Sequence, residues 1–149
     1  MSNKKLAQVW PERKLSAYAL VITLSCNVRL RVGKLGLCRF DAGNYVYAGS
    51  AKRAFDARIR RHLSSEKRLH WHVDYLLASE YATVRKVWAF PETTTECGII
   101  GALVTSGAVN VPVAGFGAGD CRNRCPAHLV RLSKKADGLF KRLGGQPYG

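Results

Sequence analysis

Four short segments rich in β-forming residues lie before Ser50, and the links between them are too short for a crossover connection. Residues 18–24 are mostly apolar and rich in β-forming residues, and residues 28–32 alternate apolar with basic side chains. Further candidate strands follow at Leu37–Phe40 and residues 44–48. A parallel pair needs a crossover of about a dozen or more residues, whereas antiparallel neighbours can be joined by a hairpin. The spacing therefore predicts a small, mostly antiparallel sheet.

The chain after Ser50 shows helical patterns and one more strand. We expect Gly49 to break the last of the early strands and Ser50 to cap a helix over residues 52–63. Further helices are predicted over residues 71–78, 93–105 and around 128–143, with a strand at residues 84–90. The predicted fold class is therefore α/β in the α+β sense, a small, mostly antiparallel sheet flanked by helices.

The chain has 149 residues, a length typical of one domain. We expect a single domain over residues 16–149 that ends in a basic tail, and a basic leader over residues 1–15. No apolar run approaches the roughly 20 residues that span a bilayer, and no apolar stretch follows the basic start, as a secretory signal would need. Five cysteines cannot all pair within one chain, and without a secretory signal this favours a reducing, cytoplasmic location. With no spanning segment, we expect no membrane partner.

An excess of basic side chains indicates what kind of partner the protein has. Lysine and arginine number 24 against 10 aspartates and glutamates, which gives a formal net charge of +14. Such a charge indicates a polyanionic partner, either nucleic acid or an anionic membrane surface. The residues predicted to contact nucleic acid are Lys52, Arg53, Arg61, Lys67, Arg68, Arg122 and Arg124.

One strand, a glycine and the following helix combine groups that phosphodiester chemistry uses. Tyr45 and Tyr47 alternate on the strand, Gly49 follows, and Arg58 and His62 share one helical face. Arginine offers a fixed set of donors to phosphate oxygens, and tyrosine or histidine can orient or deprotonate water. A tyrosine-rich strand packed on an ordinary basic helix has the same pattern, so this stretch alone leaves both interpretations open.

Several short motifs follow one another in a definite order. The strings SAY (residues 16–18), YVYAGSA (45–51), RIRRHL (58–63) and HWHVDYL (70–76) are followed by TEC (95–97), GFG (115–117), DC (120–121) and HL (128–129). This order resembles the GIY-YIG nuclease superfamily, and more closely its branch known as DUF123. The strands at residues 28–40 would be an insertion relative to typical members.

The resemblance implies a DNA endonuclease that hydrolyses phosphodiester bonds with the help of Mg²⁺ or Mn²⁺. The expected biological role is structure-selective cleavage or DNA repair. It implies that Tyr18 and Tyr47 lie beside the scissile phosphate, that Arg58 stabilises the developing charge, and that Glu96 holds the metal ion. His62 would assist proton transfer. The residues expected to support these five are Gly49, Ser50, His70, His72 and Asp74.

Two of these assignments have simpler alternatives. Thr93 and Glu96 stand three residues apart before an apolar run, which is also the signature of a helix capping box. His70, His72 and Asp74 carry metal-ligating groups, but positions i and i+2 face different sides of a helix. The favoured interpretation is that this segment packs on the sheet, with Asp74 capping a helix or pairing with a basic side chain.

Cys121, Cys125 and His128 have the spacing of zinc ligands, but a structural zinc site needs four. Cys97 would have to join them from elsewhere in the fold. The sequence therefore favours free or buried thiols over a zinc site.

Two other functions are compatible with the same sequence. A non-catalytic nucleic-acid-binding module on the same fold would bind with strong salt dependence and without a metal ion. A zinc-stabilised interaction protein would depend on the cysteines instead. Metal-dependent cleavage of DNA distinguishes the nuclease from both.

Overall fold

A six-stranded antiparallel sheet with helices on both faces is the framework of the computed structural model, which describes residues 14–107 and 109–149. Its strands are β1 (Leu15–Leu24), β2 (Val28–Arg31), β3 (Leu37–Phe40), β4 (Gly43–Ser50), β5 (Ala82–Pro91), β6 (Val109–Asn110), β7 (Leu129–Leu132) and β8 (Gln146–Pro147). Its helices are α1 (Phe55–Leu63), α2 (His72–Leu77), α3 (Glu96–Thr105) and α4 (Asp137–Arg142). The predicted α+β fold with a mostly antiparallel sheet is confirmed.

Strand β1 is central in the sheet, whose order is β6-β7-β4-β1-β5-β8. It pairs antiparallel with β4 on one side and with β5 on the other, so that Tyr18 lies opposite Gly49 and Ala89. Strands β2 and β3 form a separate two-stranded sheet. The predicted strands at residues 28–40 are therefore an addition beside the main sheet rather than part of it.

Alternation along β1 divides the interior into two cores. Tyr18, Leu20 and Ile22 belong to the core that includes residues of α1 and α2. Ala17 and Ala19 belong to the opposite core, with residues of α3 and α4. Successive side chains of a strand point to opposite faces, and the two small alanines leave room for the apolar helix α3. The tyrosine face therefore carries the larger and more polar side chains of β1 and β4.

The junction between β4 and α1 differs from the prediction. Gly49 does not break the strand but lies within it, and Ser50 is its last residue rather than a helix cap. The helix begins at Phe55, three residues later than predicted, after Ala54 in the left-handed conformation with φ 53°. Pairing of β4 with β1 continues to Ser50, so the ladder keeps these residues extended despite their local preferences.

The secondary structure of the C-terminal region also differs from the prediction. The predicted helix around residues 128–143 is wrong in its first part, which is strand β7, whereas only Asp137–Arg142 is helical. Leu129 and Val130 lie in different cores, as alternation along a strand requires. The edge of β4 accepts this segment, and that pairing overrides its helical preference. The other predicted elements are present with ends displaced by a few residues.

Two predictions concern the ends of the chain and membranes. Most of the leader predicted at residues 1–15 lies outside the described residues, although Leu15 is the first residue of β1. Within the described ranges, no helix has the length and apolarity needed to cross a membrane.

Asp74, in the short helix α2, connects this helix to α1 through hydrogen bonds with Arg61. Its buried carboxylate accepts two hydrogen bonds from the Arg61 guanidinium, at 3.0 and 2.9 Å, and others from the backbone N–H groups of His70 and Trp71. Burial opposes ionisation, but these hydrogen bonds outweigh it and lower the pKa of Asp74. The structure thus confirms the interpretation of Asp74 as a cap and ion-pair partner.

Removal of this carboxylate should destabilise the whole domain. We expect Asp74→Ala to lower the free energy of unfolding by about 3 kcal/mol, because it leaves the Arg61 charge and two backbone donors without their acceptor. Asp41→Ala, which removes the exposed ion pair with Arg39, is the matched control and should cost less than about 1 kcal/mol. Urea denaturation of the three proteins measures both, and equal effects would contradict the role given to Asp74.

Candidate active site

Side chains from β1, β4, α1 and α3 meet in one open cavity of about 520 Å³. The predicted residues that line it are Tyr18, Tyr47, Gly49, Ser50, Arg58, His70, His72, Glu96 and Arg122. His62 lies directly behind Tyr18, whereas Asp74 supports the neighbouring helix. The fold thus brings together four of the five candidate catalytic residues at one surface and places the fifth in contact with them.

A hydrogen bond of 2.6 Å joins the Tyr18 hydroxyl to Nε2 of His62. Both side chains are buried. Burial, with the neighbouring Lys67 charge, lowers the pKa of His62 to about 4, and burial raises the pKa of Tyr18 well above its usual value. Both groups are therefore neutral at neutral pH, and in the tautomer with its proton on Nδ1 the imidazole accepts the hydroxyl proton at Nε2.

Tyr47 lies beside this pair, with its ring centroid 6.5 Å from that of Tyr18 and 6.0 Å from that of His62. Burial raises the pKa of Tyr47 far above the ordinary range. A Cβ on Gly117, whose φ is +71°, would lie 2.9 Å from the Tyr47 ring. The Gly117 N–H donates to Nδ1 of His72 at 2.8 Å, so His72 holds the glycine-rich segment against the tyrosine.

Gly49 allows the Tyr18 ring to lie close against β4. The two residues face each other across the β1–β4 ladder, and a Cβ at position 49 would lie 2.4 Å from Cζ and Oη of Tyr18. No side chain fits in that space. The glycine of the second motif is thus required by close packing within the strand, not by a turn.

Arg58 is held on the cavity wall by two contacts. It donates a hydrogen bond from Nη1 to the Ser50 carbonyl oxygen at 3.1 Å, and its guanidinium lies 4.4 Å from the centroid of a Trp71 ring. Arg61 lies over the same tryptophan at 4.3 Å. Cation–π contacts of this kind restrict a guanidinium without using its N–H donors, which leaves donors of Arg58 for an anion in the cavity.

Glu96 is the first residue of α3, and its side chain is 31% exposed. Its Oε1 accepts a hydrogen bond from the Ser50 hydroxyl at 3.3 Å, and Oε2 lies 3.5 Å from Nδ1 of His128. Thr95, rather than Thr93, caps the helix by accepting from the Gly98 N–H. The alternative of a capping box between Thr93 and Glu96 is therefore wrong, and the carboxylate faces other side chains of the cavity.

The chemistry of this carboxylate fits a hard cation such as Mg²⁺. The Glu96 side chain is partly exposed, and its two oxygens lie 3.3 Å from the Ser50 hydroxyl and 3.5 Å from Nδ1 of His128. Mg²⁺ in enzymes usually keeps several waters and binds one or two carboxylates together with substrate phosphates. Asp120 also lines the cavity, so a second carboxylate is available on the same surface.

Three cysteines and a histidine gather at one side of the cavity. Cys97 on α3 joins Cys121, Cys125 and His128, and their ligand atoms all lie within 4.8 Å of one another. Hydrogen bonds from the backbone N–H groups of Cys125 and Asn123 lower the pKa of Cys121 to about 6. The fold thus supplies the fourth group that the local spacing of the sequence lacks.

The basic residues predicted to contact nucleic acid fall into two groups. Arg61 is committed to Asp74 and to the Arg68 carbonyl oxygen, and Lys67 donates to the carbonyl oxygens of Arg61 and His62. Most of their donors are therefore used within the fold. The exposed members are Lys52, Arg53, Arg68, Arg122 and Arg124. Of these, Arg122 lines the cavity itself, and contact with nucleic acid remains a prediction for all of them.

The sequence pattern did not place Trp71, Asp120 or His128 in this site, although it offered His128 as a possible zinc ligand. Trp71 stacks on two arginines, Asp120 lies on the cavity wall, and His128 bridges Glu96 and the cysteines. Trp71 sits between two histidines in a motif that was noted, but only the orientation of α2 turns it towards Arg58. Asp120 and His128 lie in an irregular segment, where no periodicity predicts the direction of a side chain.

Substitution of Gly49 tests the close packing of Tyr18. We expect Gly49→Ala to lower the free energy of unfolding by about 1–3 kcal/mol, because the methyl group must displace the ring or the strand. Gly101→Ala is the control: nothing lies within 4 Å of a Cβ there, and in helix α3 it should stabilise by about 0.5–1 kcal/mol. Thermal or chemical denaturation measures the change in unfolding free energy of each variant. Changes of the same sign in the two variants would contradict this packing.

Burial of neutral His62 should make the protein sensitive to acid. Its pKa is about 4 in the fold against 6.5 normally, so the unfolded chain takes up a proton first as the pH falls. The contribution of neutral His62 is complete above about pH 6.5 and should decline by about 3 kcal/mol on acidification to pH 4. We expect His62→Gln to flatten the dependence of unfolding free energy on pH in this range.

The exposed His70 provides the comparison for this measurement. His70→Gln makes the same substitution at an exposed residue and is the control for the loss of an imidazole as such. Urea titrations at a series of pH values compare the three proteins, and an unchanged slope in His62→Gln would show that this histidine does not stay neutral.

Comparison with known proteins identifies the family. A family model described as the domain of unknown function DUF123 matches residues 17–143. No curated protein and no solved structure matches the chain. The match extends from β1 to the end of α4 and includes every residue that lines the cavity. Since it covers most of the 149 residues, the chain belongs to the DUF123 family.

Proposed function

We propose that this protein is a GIY-YIG-like, metal-dependent endonuclease that hydrolyses phosphodiester bonds of DNA. The observation that carries the proposal is the meeting of Arg58, the Tyr18–His62 pair and Glu96 at one open cavity. These are an anion-binding group, a proton-transfer pair and a ligand for a hard cation. All three are what hydrolysis of a phosphodiester requires.

The charge of the protein supports a polyanionic substrate. The formal net charge is +14, and exposed arginines at positions 122 and 124 belong to the segment that forms one side of the cavity. A backbone that carries many phosphates releases counterions when it binds such a surface. DNA is therefore the proposed substrate, and binding should weaken steeply as salt increases.

Arg58 is proposed to stabilise charge on the phosphate in the transition state. Stacking on Trp71 and the hydrogen bond to Ser50 hold its guanidinium in place before the substrate arrives. Donors that need no rearrangement during the reaction contribute most to such stabilisation. In this role Arg58 binds a non-bridging oxygen of the scissile phosphate with the N–H groups that face the cavity.

The Tyr18–His62 pair is proposed to accept the proton of the attacking water. Because burial raises the pKa of Tyr18, the phenol is not ionised beforehand and needs a partner. As water transfers its proton to the Tyr18 oxygen, the Tyr18 hydroxyl proton passes to Nε2 of His62, 2.6 Å away. With a pKa of about 4, His62 is unprotonated at neutral pH and free to accept, and the negative charge of the bound phosphate would favour the imidazolium that forms.

Glu96 is proposed to hold a Mg²⁺ or Mn²⁺ ion, with Asp120 on the same wall as an additional oxygen ligand. When bound, the ion would act as a Lewis acid on the phosphate oxygens. Ser50 orients the carboxylate through its hydroxyl hydrogen bond, so the supporting role expected for Ser50 is to position Glu96.

Cleavage of labelled single-stranded, duplex, flap and branched DNA, with Mg²⁺, Mn²⁺ or EDTA, tests this function. We expect metal-dependent cleavage, and a loss of kcat of about 100-fold or more in Arg58→Ala and in Tyr18→Phe. Glu96→Gln, which keeps the size of the side chain but removes its charge, should abolish cleavage at low metal concentration and recover part of it at high concentration.

Each variant has a matched control on the same or an adjacent element. Arg60→Ala removes an exposed arginine of α1 that pairs with Asp56, and Glu92→Gln changes an exposed glutamate near α3. Tyr45→Phe changes a tyrosine of β4 that donates to the Asp41 carbonyl oxygen, outside the cavity. If the protein binds every DNA substrate in a salt-sensitive way but cleaves none, it is a nucleic-acid-binding module and not a nuclease. If cleavage survives all three cavity substitutions, this cavity is not the active site.

A further inference from the structure

The four groups at Cys97, Cys121, Cys125 and His128 have the geometry of a cage for one ion. The Cys97 sulfur lies 3.6 Å from the Cys121 sulfur and 3.7 Å from Nε2 of His128, and all four ligand atoms lie within 4.8 Å of one another. Ligands at about 2.3 Å from a tetrahedral ion are separated by about 3.8 Å. A disulfide would need sulfur atoms about 2.05 Å apart, and all five cysteines are free thiols.

We propose that Cys97, Cys121, Cys125 and His128 bind one Zn²⁺ ion in a closed, tetrahedral structural site. It is separate from the hard-cation position proposed at Glu96, and it holds whether or not the protein cleaves DNA. Three sulfurs and one imidazole are the ligands that zinc prefers, and four protein ligands leave no position for water or substrate.

The composition and size of the cage exclude other common occupants. Mg²⁺ and Ca²⁺ take oxygen ligands, whereas three of the four atoms here are sulfur. An iron–sulfur cluster spreads its cysteines over several iron atoms, which needs more space than ligand atoms within 4.8 Å provide. Soft thiolates with one imidazole in a tetrahedral arrangement favour zinc.

The surroundings of the sulfurs support this assignment. Backbone N–H groups of Asn123 and Cys125 donate hydrogen bonds to the Cys121 sulfur. Three thiolates around one divalent ion carry a net negative charge, which the exposed arginines at positions 122 and 124 offset from within the same loop. Hydrogen bonds to ligand atoms and a compensating charge are common around metal sites.

The site would fasten a long irregular loop to the rest of the protein. Residues 111–128, between β6 and β7, contain neither helix nor strand, yet they supply Gly117, Asp120 and Arg122 to the cavity. Loops of this length without secondary structure are uncommon in small domains unless something holds them. An ion that joins Cys121, Cys125 and His128 to Cys97 on α3 provides such a connection.

Through His128, the proposed zinc ion would also help to fix the position of the Glu96 carboxylate. Its Nε2 faces Cys97, whereas its Nδ1 lies 3.5 Å from Oε2 of Glu96. With zinc on Nε2, the ring proton must reside on Nδ1 and point to the carboxylate, as histidine ligands of metals commonly do. Glu96 would thus orient His128 from one side while the ion binds it from the other.

Metal analysis of the purified full chain tests the proposal. We expect about one zinc ion per chain by mass spectrometry of the metal, and loss of that ion in Cys121→Ser and His128→Asn. Cys26→Ser, which changes an exposed cysteine outside the cage, is the control and should retain it. Replacement by Co²⁺ should give the intense visible bands of tetrahedral cobalt and thiolate charge-transfer absorption in the near ultraviolet.

Two further measurements use the unchanged protein, in case a variant fails to fold. Chelation should lower Tm by roughly 10 °C or more, and added Zn²⁺ should restore it. With zinc bound, iodoacetamide should modify Cys26 readily and leave Cys97, Cys121 and Cys125 protected until a chelator is added. Glu96→Gln should keep the zinc, because its carboxylate is not a ligand.

Three results would overturn the proposal. The first is an unchanged chain, purified with zinc in the medium, that contains far less than one zinc ion. The second is zinc retained by a folded Cys121→Ser protein, or lost equally from Cys26→Ser. The third is the visible absorption of an iron–sulfur cluster instead of a colourless zinc protein. None of these results depends on DNA cleavage.

Discussion

The packing of the Tyr18 ring on Gly49 is the contact on which the cavity depends. The two residues face each other across the β1–β4 ladder with no space for a Cβ. This contact places the Tyr18 hydroxyl beside His62 and its ring beside Tyr47. Any side chain at position 49 would displace the Tyr18 ring and so disturb its contacts with His62 on α1 and Tyr47 on β4.

Burial creates a neutral wall within a strongly basic protein. Tyr18 and His62 are both held neutral because ionisation would be costly at these buried positions. Of the positive charges near His62, Arg61 pairs with Asp74 and Lys67 donates to backbone carbonyl oxygens, whereas Arg58 acts on both Tyr18 and His62. The cavity thus places the neutral Tyr18–His62 pair beside the Arg58 guanidinium, an arrangement that suits the proposed reaction on an anion.

The prediction of the fold succeeded where apolar runs, alternation and link length act locally, as at residues 18–24 and 28–32. It failed at Ser50, whose residue type favours a helix cap but whose backbone pairs with β1. It failed again around His128–Leu143, because helical spacing of apolar residues there competes with the open edge of β4. Both errors have the same cause: backbone pairing with a distant strand is not encoded by nearby residues.

The candidate site could be predicted only in part. Tyr18, Tyr47, Arg58 and Glu96 were predicted as one site through the order of their motifs, and they line one cavity. The approach of Cys97 to a distant cysteine pair was not predicted, because it depends on how the loop at residues 111–128 crosses the start of α3.

The sequence by itself specifies an antiparallel sheet, a basic surface and the chemical groups of the site, since these follow from spacing, composition and residue type. Tertiary structure alone decides that His62 stays neutral, that Arg61 forms an ion pair with Asp74, and that His128 lies between Glu96 and three cysteines. The physical reason is that pKa values, ion pairs and metal geometry depend on distances and burial between residues far apart in the chain.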